Sequence, residues 1–309
     1  MILKKKIGRY IKMSGLEFKD IEISTKTIIG VSNVELDIEG IYNKIPTSEY
    51  IVIPRRRGRR KKEPEMDPNE NLPIGSIITL KLAGQCKGVD LKQKKKTESR
   101  RKYFRNSLTV VMKIANAKLI NFKLSKNGKF QITGSKNDGH AKDCIKFFWN
   151  MVSPHGELYK MDGTEFVINF ITVMTNIDFN LGFIVNRENL DKHMNQNTEY
   201  NSLLETSFGY TGVNIKFPSS IYPSNTLIPQ LRYKGEWNDN IITYGEYFKT
   251  LSEKEQNKIL NKDKYTTFLV FHSGNVIMSG LSKEYMENTF NMFMNIVKTC
   301  KDRIEEKLD

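Results

Sequence analysis

Two blocks of basic residues are the side chains in this sequence best suited to binding chemistry. The first block runs from Arg55 to Lys62 and the second from Lys92 to Arg105. Between Thr47 and Asn106 the chain carries 17 Lys or Arg and 7 Asp or Glu residues, hence +10 of the total net charge of +14. Guanidinium and ammonium groups neutralise phosphates, so this concentration of charge favours a nucleic-acid partner. A solvated loop and a targeting signal are the alternative interpretations.

Side chains arranged for catalysis are not recognisable in the sequence. No Ser/His/Asp set, carboxylate pair, phosphate-binding glycine loop or catalytic Lys/Asp pair stands out, and Asp162, Asp178 and Asp191 are scattered. The three cysteines and four histidines lack the spacing of metal ligands. We therefore expect a protein that is not an enzyme, uses no cofactor and binds no structural metal. The cysteine usage also favours a reducing compartment.

The composition predicts a folded chain that does not enter membranes. Hydrophobic residues make up 39% of the 309 positions, enough for each half of the chain to bury a core. No apolar run approaches the roughly 20 residues that cross a bilayer. The residues from Met1 to Lys6 lack the apolar stretch of a signal peptide.

One pattern in the chain occurs twice. The stretch from Ser125 to Lys136, with glycines at 128 and 134, returns from Phe271 to Ser282, with glycines at 274 and 280. Each copy predicts a strand, a glycine turn, a second strand and then a helix. The separation of 146 residues is too long for a solenoid repeat and indicates a duplicated half-domain.

The hydrophobic periodicity assigns the same order of elements to both halves: strand, helix, four strands, helix. The predicted strands cover residues 21–34, 77–82, 107–114, 119–124, 130–133, 166–179, 211–217, 268–271 and 276–278. The predicted helices cover residues 36–45, 141–152, 186–195, 244–260 and 286–308. Helices account for one face of the resulting sheet, and no predicted element remains to cover the other face.

These elements define the predicted domain organisation. Residues 1–20 are a basic lead-in, residues 21–155 the first half and residues 156–309 the second half. Residues 47–106 are predicted to be a basic insertion in the first half, and residues 218–264 an insertion in the second half.

The arrangement resembles the TATA-box-binding protein family over about 200 residues. The segment from Leu269 to Gly280 is similar to that family's Leu-Ile-Phe-Val-Ser-Gly-Lys-Val-Val-Leu-Thr-Gly, and Leu36-Asp37-Ile38 to its Leu-Asp-Leu. The resemblance implies an α+β saddle of two pseudo-symmetric halves, with one curved antiparallel sheet and helices on its convex face. The insertions and the Lys/Asn/Ile-rich composition look like a divergent homologue of the kind found in large DNA viruses.

The resemblance also implies a function. Members of this family bind DNA through the minor groove and bend it with apolar wedges. It implies AT-rich promoter DNA, a transcription factor IIB-like protein and RNA polymerase as partners. The location would be the nucleus, or a cytoplasmic viral factory or virion. The residues expected to bind DNA are Phe271, Tyr210, Lys216, Lys113, Thr133, Ser279, Asn214, Val111, Lys123, Arg55, Arg56 and Arg57.

The first half departs from the family pattern. By alignment, Phe271 and Tyr210 are the wedges of the second half, whereas Ser125 and Ser107 occupy the matching positions of the first, unless a register shift brings in Phe104 or Phe122. We also align Lys113 with Lys216 as matching basic positions. Strict TATA preference is therefore not expected.

Two further interpretations of the sequence remain open. The chain could be a protein-interaction scaffold that has lost DNA binding, which the serines of the first half favour. Related saddle folds occur attached to nucleases and glycosylases, but an enzyme would need an acidic cluster that the sequence lacks. The long loop of the second half, with Trp237, Tyr233, Tyr244 and Tyr247, could bind a partner or pack on itself.

Overall fold

The computed structural model describes residues 17–52, 67–91, 106–115, 118–204, 211–220 and 222–307. The chain divides into two compact units. The first unit comprises Thr27–Ile171 and Leu227–Ile242, and the second unit comprises Met1–Lys26, Thr172–Thr226 and Thr243–Asp309. The division runs through two long strands, β1 and β9, whose bounds follow.

The secondary-structure elements are numbered in chain order. The strands are β1 Ile23–Ser32, β2 Val34–Leu36, β3 Ile77–Leu82, β4 Gln85–Gly88, β5 Ser107–Ala115, β6 Lys118–Ser125, β7 Lys129–Ser135, β8 Tyr159–Met161, β9 Phe166–Asn180, β10 Asn201–Leu204, β11 Gly212–Ser219, β12 Leu227–Tyr233, β13 Trp237–Thr243, β14 Lys264–Phe271 and β15 Asn275–Gly280. The helices are α1 Ile38–Lys44, α2 Asp138–Val152, α3 Arg187–Asn197, α4 Tyr244–Lys249, α5 Glu253–Leu260 and α6 Glu287–Ile304.

The first unit is built on strands in the order β1, β7, β6, β5, β3 and β4. Strand β6 pairs antiparallel with β5 and β7, and β5 pairs antiparallel with β3. Helices α1 and α2 bury their apolar sides against one face of these strands. Phe148 of α2 makes edge contacts with Phe122 and Phe130, at ring-centroid distances of 5.7 and 5.8 Å.

Helix α2 follows from its sequence. The Asn137 side chain accepts a hydrogen bond from the His140 N–H and so caps the helix start. Its apolar residues recur at helical spacing, which puts them on one stripe that faces the sheet. The buried members of the stripe include Ala141, Ile145, Phe148 and Val152, as the periodicity predicts.

The second unit repeats this plan with strands in the order β10, β11, β14, β15 and β9. Each neighbouring pair of these strands is antiparallel. Helices α3 and α6 cover one face. Phe293 of α6 stacks on Phe268 of β14 with ring centroids 4.1 Å apart.

The repeated glycine turns have the predicted place in both units. Gly128 and Gly274 adopt φ angles of +68° and +78°, a region that side chains other than glycine rarely enter. A Cβ atom at Gly128 would lie 2.1 Å from the Val34 carbonyl oxygen, and one at Gly274 would lie 2.2 Å from that of Phe183. Glycine is therefore required at both turns by conformation and by space.

The α+β class and the antiparallel sheet are confirmed. Strand β3, at the predicted strand 77–82, pairs with β5 and is buried, so it belongs to the sheet although it lies within the range 47–106. One detail of the prediction is wrong. The single helix predicted over residues 244–260 is two helices, because Ser252 caps a new helix start by accepting from the Glu255 N–H.

The hairpin of β12 and β13 belongs to the first unit, although it lies within the predicted insertion of the second half. Strand β12 pairs antiparallel with the start of β9, and Leu231 is fully buried in the core of the first unit. The Trp237 ring packs edge-on against Phe166, and its indole N–H donates to Asn150 Oδ1 at 3.1 Å. Asp239 binds the ammonium groups of two α2 lysines, Lys142 and Lys146, at 2.9 and 3.2 Å.

Candidate nucleic-acid interface

Strand alternation gives each unit a sheet face opposite its helices, which we call the free face of that unit. In the second unit, Val213, Ile215 and Phe217 of β11 point into the core under α3 and α6. The residues between them, Asn214 and Lys216, therefore lie on the free face.

The strand register of the second unit arranges its free-face residues in two rows. The polar row is Asn201, Lys216, Thr267, Ser279 and Asn176. The mixed row is Leu203, Asn214, Leu269, Ile277 and Asp178. The site thus combines a row of amide, hydroxyl and ammonium groups with a row that has an apolar centre.

Solvent reaches both rows within the described residues. Leu203 is 62% exposed and Lys216 is exposed, with its ammonium 5.7 Å from the centre of the Tyr265 ring. Leu269 and Ile277 are half-buried, as expected for neighbours on a flat sheet surface. This face can therefore meet a large partner without rearrangement of the described strands.

Phe271 is the last residue of β14 and lies on the free face, two residues beyond Leu269 of the mixed row. It pairs across the ladder with Gly212, which has no side chain to cover the phenyl ring. A Cβ atom at Gly212 would lie 2.7 Å from Leu269 Cδ1, so glycine also lets Leu269 lie flat. An open pocket of about 610 Å³ adjoins the ring and is lined by Asp178, Thr211, His272, Asn275, Ile277 and neighbouring residues.

The free face of the first unit is more polar. The pairing of β3, β5, β6 and β7 sets Lys81, Thr109, Lys123 and Gln131 in one row, and Thr79, Val111, Asn121 and Thr133 in the next. The Thr133 hydroxyl donates to the Asn121 carbonyl oxygen at 3.1 Å. Thr133, Lys123 and Val111 all lie on the free face by this register, and their contact with DNA stays a prediction.

Lys113 contradicts its expected role as a phosphate ligand. It is only 3% exposed, and its ammonium donates to the carbonyl oxygens of Asn69, Glu70 and Leu72 at 2.8, 3.0 and 2.7 Å. Residues 67–73, which we call the cover segment, therefore occupy this end of the free face. The expectation that nothing covers the face is wrong here, because the carbonyl groups of the cover segment bind an ammonium that would otherwise be hydrated.

Asn69 anchors the cover segment. Its side chain accepts from the Ile51 N–H at 2.8 Å and donates to the Ile51 carbonyl at 2.9 Å. Val111, which lies beside Lys113 on the same face, is 9% exposed. The cover segment thus withdraws the Lys113 ammonium from solvent, and Val111 is also buried.

The alignment of Lys113 with Lys216 is also wrong, by two residues. Lys216 pairs with Thr267, seven residues before Gly274, and Val111 pairs with Asn121, seven residues before Gly128. Val111 is therefore the counterpart of Lys216. By the same register, Ser107 corresponds to Gly212 and not to Tyr210.

Several predicted residues have other outcomes. Tyr210, Arg55, Arg56 and Arg57, together with the alternative wedge Phe104, lie outside the described residues. Phe122, the other alternative, is fully buried in the core and is not on the free face. Ser279 and Asn214 lie on the free face of the second unit as predicted.

The aromatic residues of the long loop are engaged internally. Tyr233 and Trp237 pack against the core of the first unit, with ring centroids 4.8 Å apart. Tyr244 packs on Tyr222 and Tyr247 in the second unit, at 5.4 and 5.9 Å. Of the two interpretations of this loop, internal packing is the one that the structure supports.

The comparisons with known proteins give two likenesses. The chain is 25% identical over 304 residues to uncharacterized protein 335L of Invertebrate iridescent virus 6, covering 93% of this chain and 86% of that protein. Among solved structures, it is similar to the TBP of Methanococcus jannaschii, with a TM-score of 0.43, 12% identity, and coverage of 90% of this chain and 98% of that one. No protein-family model matches the chain. The first relative is viral, as the composition suggested.

No group of three or more His, Cys, Asp or Glu side chains in the described ranges could hold a metal ion. None of the described helices is both long enough and apolar enough to cross a bilayer.

Sequence reasoning missed four members of the mixed row: Leu203, Leu269, Ile277 and Asp178. The alternation of β14 carried a signal for one of them, since Phe268 and Val270 are core residues and Leu269 lies between them. The same alternation places Asp178 on the free face, because its neighbours Ile177 and Phe179 both point into the core.

Proposed function

We propose that the protein is a transcription initiation factor that binds double-stranded DNA through the free face of the second unit. It carries out no catalytic step. The observation that supports this most directly is the pair of rows on that face, with a half-buried apolar centre, a line of amide and hydroxyl groups, and Phe271 at the edge. The resemblance of Leu269–Gly280 to the TATA-box-binding protein family supports the same function.

The minor groove is the side of DNA that fits these rows. It is about 6 Å wide in B-DNA, so a sheet reaches it only after the groove has been opened. An apolar wedge opens it by entering a base step and unstacking it, which bends the duplex. Phe271 supplies the wedge, and the apolar centre of the mixed row lies against the sugars and base edges.

The polar row supplies the remaining contacts. Amide and hydroxyl donors such as Asn201, Thr267 and Ser279 match the acceptors that A·T pairs present in the minor groove. Lys216, at the exposed margin, pairs with a phosphate. The proposed DNA target is therefore AT-rich promoter DNA without a strict TATA requirement. A transcription factor IIB-like protein and RNA polymerase are the partners proposed from the family resemblance, and the nucleus or a viral factory is the location.

A second function is favoured by one observation. The cover segment accepts hydrogen bonds from the Lys113 ammonium, which leaves the first unit with one basic group fewer for phosphate. A scaffold that assembles transcription proteins, with weakened DNA binding, is consistent with that arrangement.

A titration separates the two functions. An end-labelled AT-rich duplex is titrated with the protein at about 50 mM and 200 mM salt, with fluorescence anisotropy reporting binding and energy transfer between the duplex ends reporting bending. The proposal requires salt-dependent binding together with bending. A flat titration at the lower salt concentration contradicts it and leaves the scaffold. Selection from a random duplex pool at stated salt then gives the preferred site.

A further inference from the structure

Asp178 places a carboxylate on the free face of the second unit. It is exposed, lies at the end of the mixed row, and pairs across the ladder with Ile277. Its neighbours along the row are the apolar residues Ile277 and Leu269. Among the described residues, none donates a hydrogen bond to this carboxylate or forms an ion pair with it.

The nearest basic residue of the two rows does not neutralise Asp178. Lys216 lies on β11, three strands away from β9, so about 14 Å separates the two backbones. Asn180, the next residue of β9 on the same face, bonds to other groups and not to Asp178. Its Nδ2 donates to Asn275 Oδ1 at 2.7 Å, and its Oδ1 accepts from the Gly182 N–H. The acceptor capacity of Asp178 is therefore left for a partner.

A carboxylate is an unfavourable group to place against most of the minor groove. An ionised carboxylate only accepts hydrogen bonds. A·T and T·A pairs present only acceptors in the minor groove, adenine N3 and thymine O2, and phosphates add negative charge on both sides. The exocyclic amino group of guanine, N2, is the one donor that a base pair presents there.

We propose that Asp178 accepts a hydrogen bond from guanine N2 and so selects a G·C pair at one position of an otherwise AT-rich site. This inference rests on the proposed binding of DNA and assigns a specificity-determining residue to it. The neighbouring Ile277 and Leu269 exclude water from the contact, which strengthens a charge-assisted hydrogen bond.

The corresponding residue of the first unit lacks this chemistry. The Ser32 N–H donates to the Gly128 carbonyl as the Leu181 N–H donates to the Gly274 carbonyl, which aligns β1 with β9. Ile29 lies three residues before Ser32, and Asp178 lies three residues before Leu181. The counterpart of the carboxylate is therefore Ile29, a half-buried aliphatic side chain. The guanine preference therefore belongs to one unit only, and it gives the bound site a direction.

The test uses the full chain and a duplex panel measured by competition anisotropy at one salt concentration. The parent duplex contains only A·T pairs, and each variant carries a single G·C pair at one position. A second series carries inosine·C in place of G·C, because inosine lacks the N2 amino group and otherwise keeps the guanine ring. Asp178→Asn is compared with Asp302→Asn, a matched loss of charge at an exposed position of α6 on the other side of the second unit.

The expected result is tighter binding of about fivefold or more for G·C at one position, at the lower end of what one good base contact contributes. Inosine·C should lose that gain, Asp178→Asn should reduce it strongly, and Asp302→Asn should keep it. Equal affinity for G·C and inosine·C overturns the inference, as does an Asp178→Asn variant that binds every duplex more tightly by one common factor. Both outcomes leave DNA binding intact, whereas failure to bind any duplex overturns the proposed function itself.

Discussion

The Lys113 ammonium lies 2.8 Å from the Asn69 carbonyl oxygen, and the Asn69 side chain is itself bonded to the backbone of Ile51. One buried lysine thus connects strand β5 to the cover segment and, through Asn69, to the chain that follows α1. The ammonium therefore belongs to the internal structure of the first unit.

Replacing Lys113 should cost stability and leave DNA binding nearly unchanged. Lys113→Met keeps the apolar stem but removes three donors, so three carbonyl groups lose their partner. We expect the free energy of unfolding to fall by about 2–4 kcal/mol, since bonds to charged groups contribute about 1.5–3 kcal/mol each and do not add fully. Urea denaturation measures the change.

The control for Lys113 is Lys160→Met at an exposed position of the same unit, which should stay within about 0.5 kcal/mol of the parent. Equal stability of the two variants would show that the three hydrogen bonds are not made in solution.

Phe271→Ala should reduce DNA bending. Loss of the phenyl ring removes the group proposed to unstack a base step, so the energy-transfer change on binding should shrink. Met292→Ala removes a partly exposed side chain from α6, on the helix side of the second unit, and should leave bending as it was. Identical energy transfer in the parent and in Phe271→Ala would remove Phe271 from the wedge position.

Lys216→Gln should lower the salt dependence of binding. One lost phosphate contact reduces the slope of log K against log salt by about 0.9. Lys254→Gln makes the same charge change at an exposed position of α5 and should keep the parent slope. Binding curves at four or more salt concentrations measure both slopes, and parallel lines for all three proteins would place Lys216 away from the phosphates.

Asp239→Asn should loosen the β12–β13 hairpin in a pH-dependent way. Hydrogen bonds and charge from Lys142 and Lys146 hold the pKa of Asp239 below its ordinary value. Such a carboxylate stabilises the fold fully above the unfolded-state pKa of about 3.9, and the contribution disappears as the pH falls through the lower folded-state pKa. The Asp239 side chain is about half exposed, so the loss at neutral pH should stay below about 1 kcal/mol.

Urea midpoints at pH 7 and pH 3 test this dependence. The difference between the parent and Asp239→Asn should be present at pH 7 and smaller at pH 3. Asp162→Asn changes an exposed carboxylate of the same unit and should show neither effect. A difference that grows at low pH would contradict the assigned sign.

Gly274→Ala should destabilise more than Gly163→Ala. Both glycines have positive φ angles, +78° and +90°, so both variants carry the cost of a left-handed residue, about 1–2 kcal/mol. Only at Gly274 does the new Cβ meet backbone, 2.2 Å from the Phe183 carbonyl, whereas nothing lies within 4 Å at Gly163. We expect an additional loss above about 1 kcal/mol in the unfolding free energy, because the backbone cannot move away freely.

The sequence was sufficient where local chemistry determines structure. The turns at Gly128 and Gly274 were predictable because only glycine tolerates their conformation, and α2 and α6 because their apolar stripes recur at helical spacing. The free face of each unit followed from strand alternation.

Register and long-range contacts were not predictable in the same way. A shift of two residues returns every side chain to the same face of a strand, so alternation could not detect that Lys216 corresponds to Val111 and not to Lys113. The burial of Lys113 depends on carbonyl groups about 40 residues away in sequence, which no periodicity reports.

The docking of the β12–β13 hairpin has a consequence for synthesis of the chain. Leu231 and Trp237 pack in the core that includes Ile28, so we expect this core to be completed only after residue 242 has left the ribosome. A fragment ending near residue 155 would expose the apolar surface that these side chains cover. We therefore do not expect the N-terminal half to fold as an autonomous module, despite the duplication visible in its sequence.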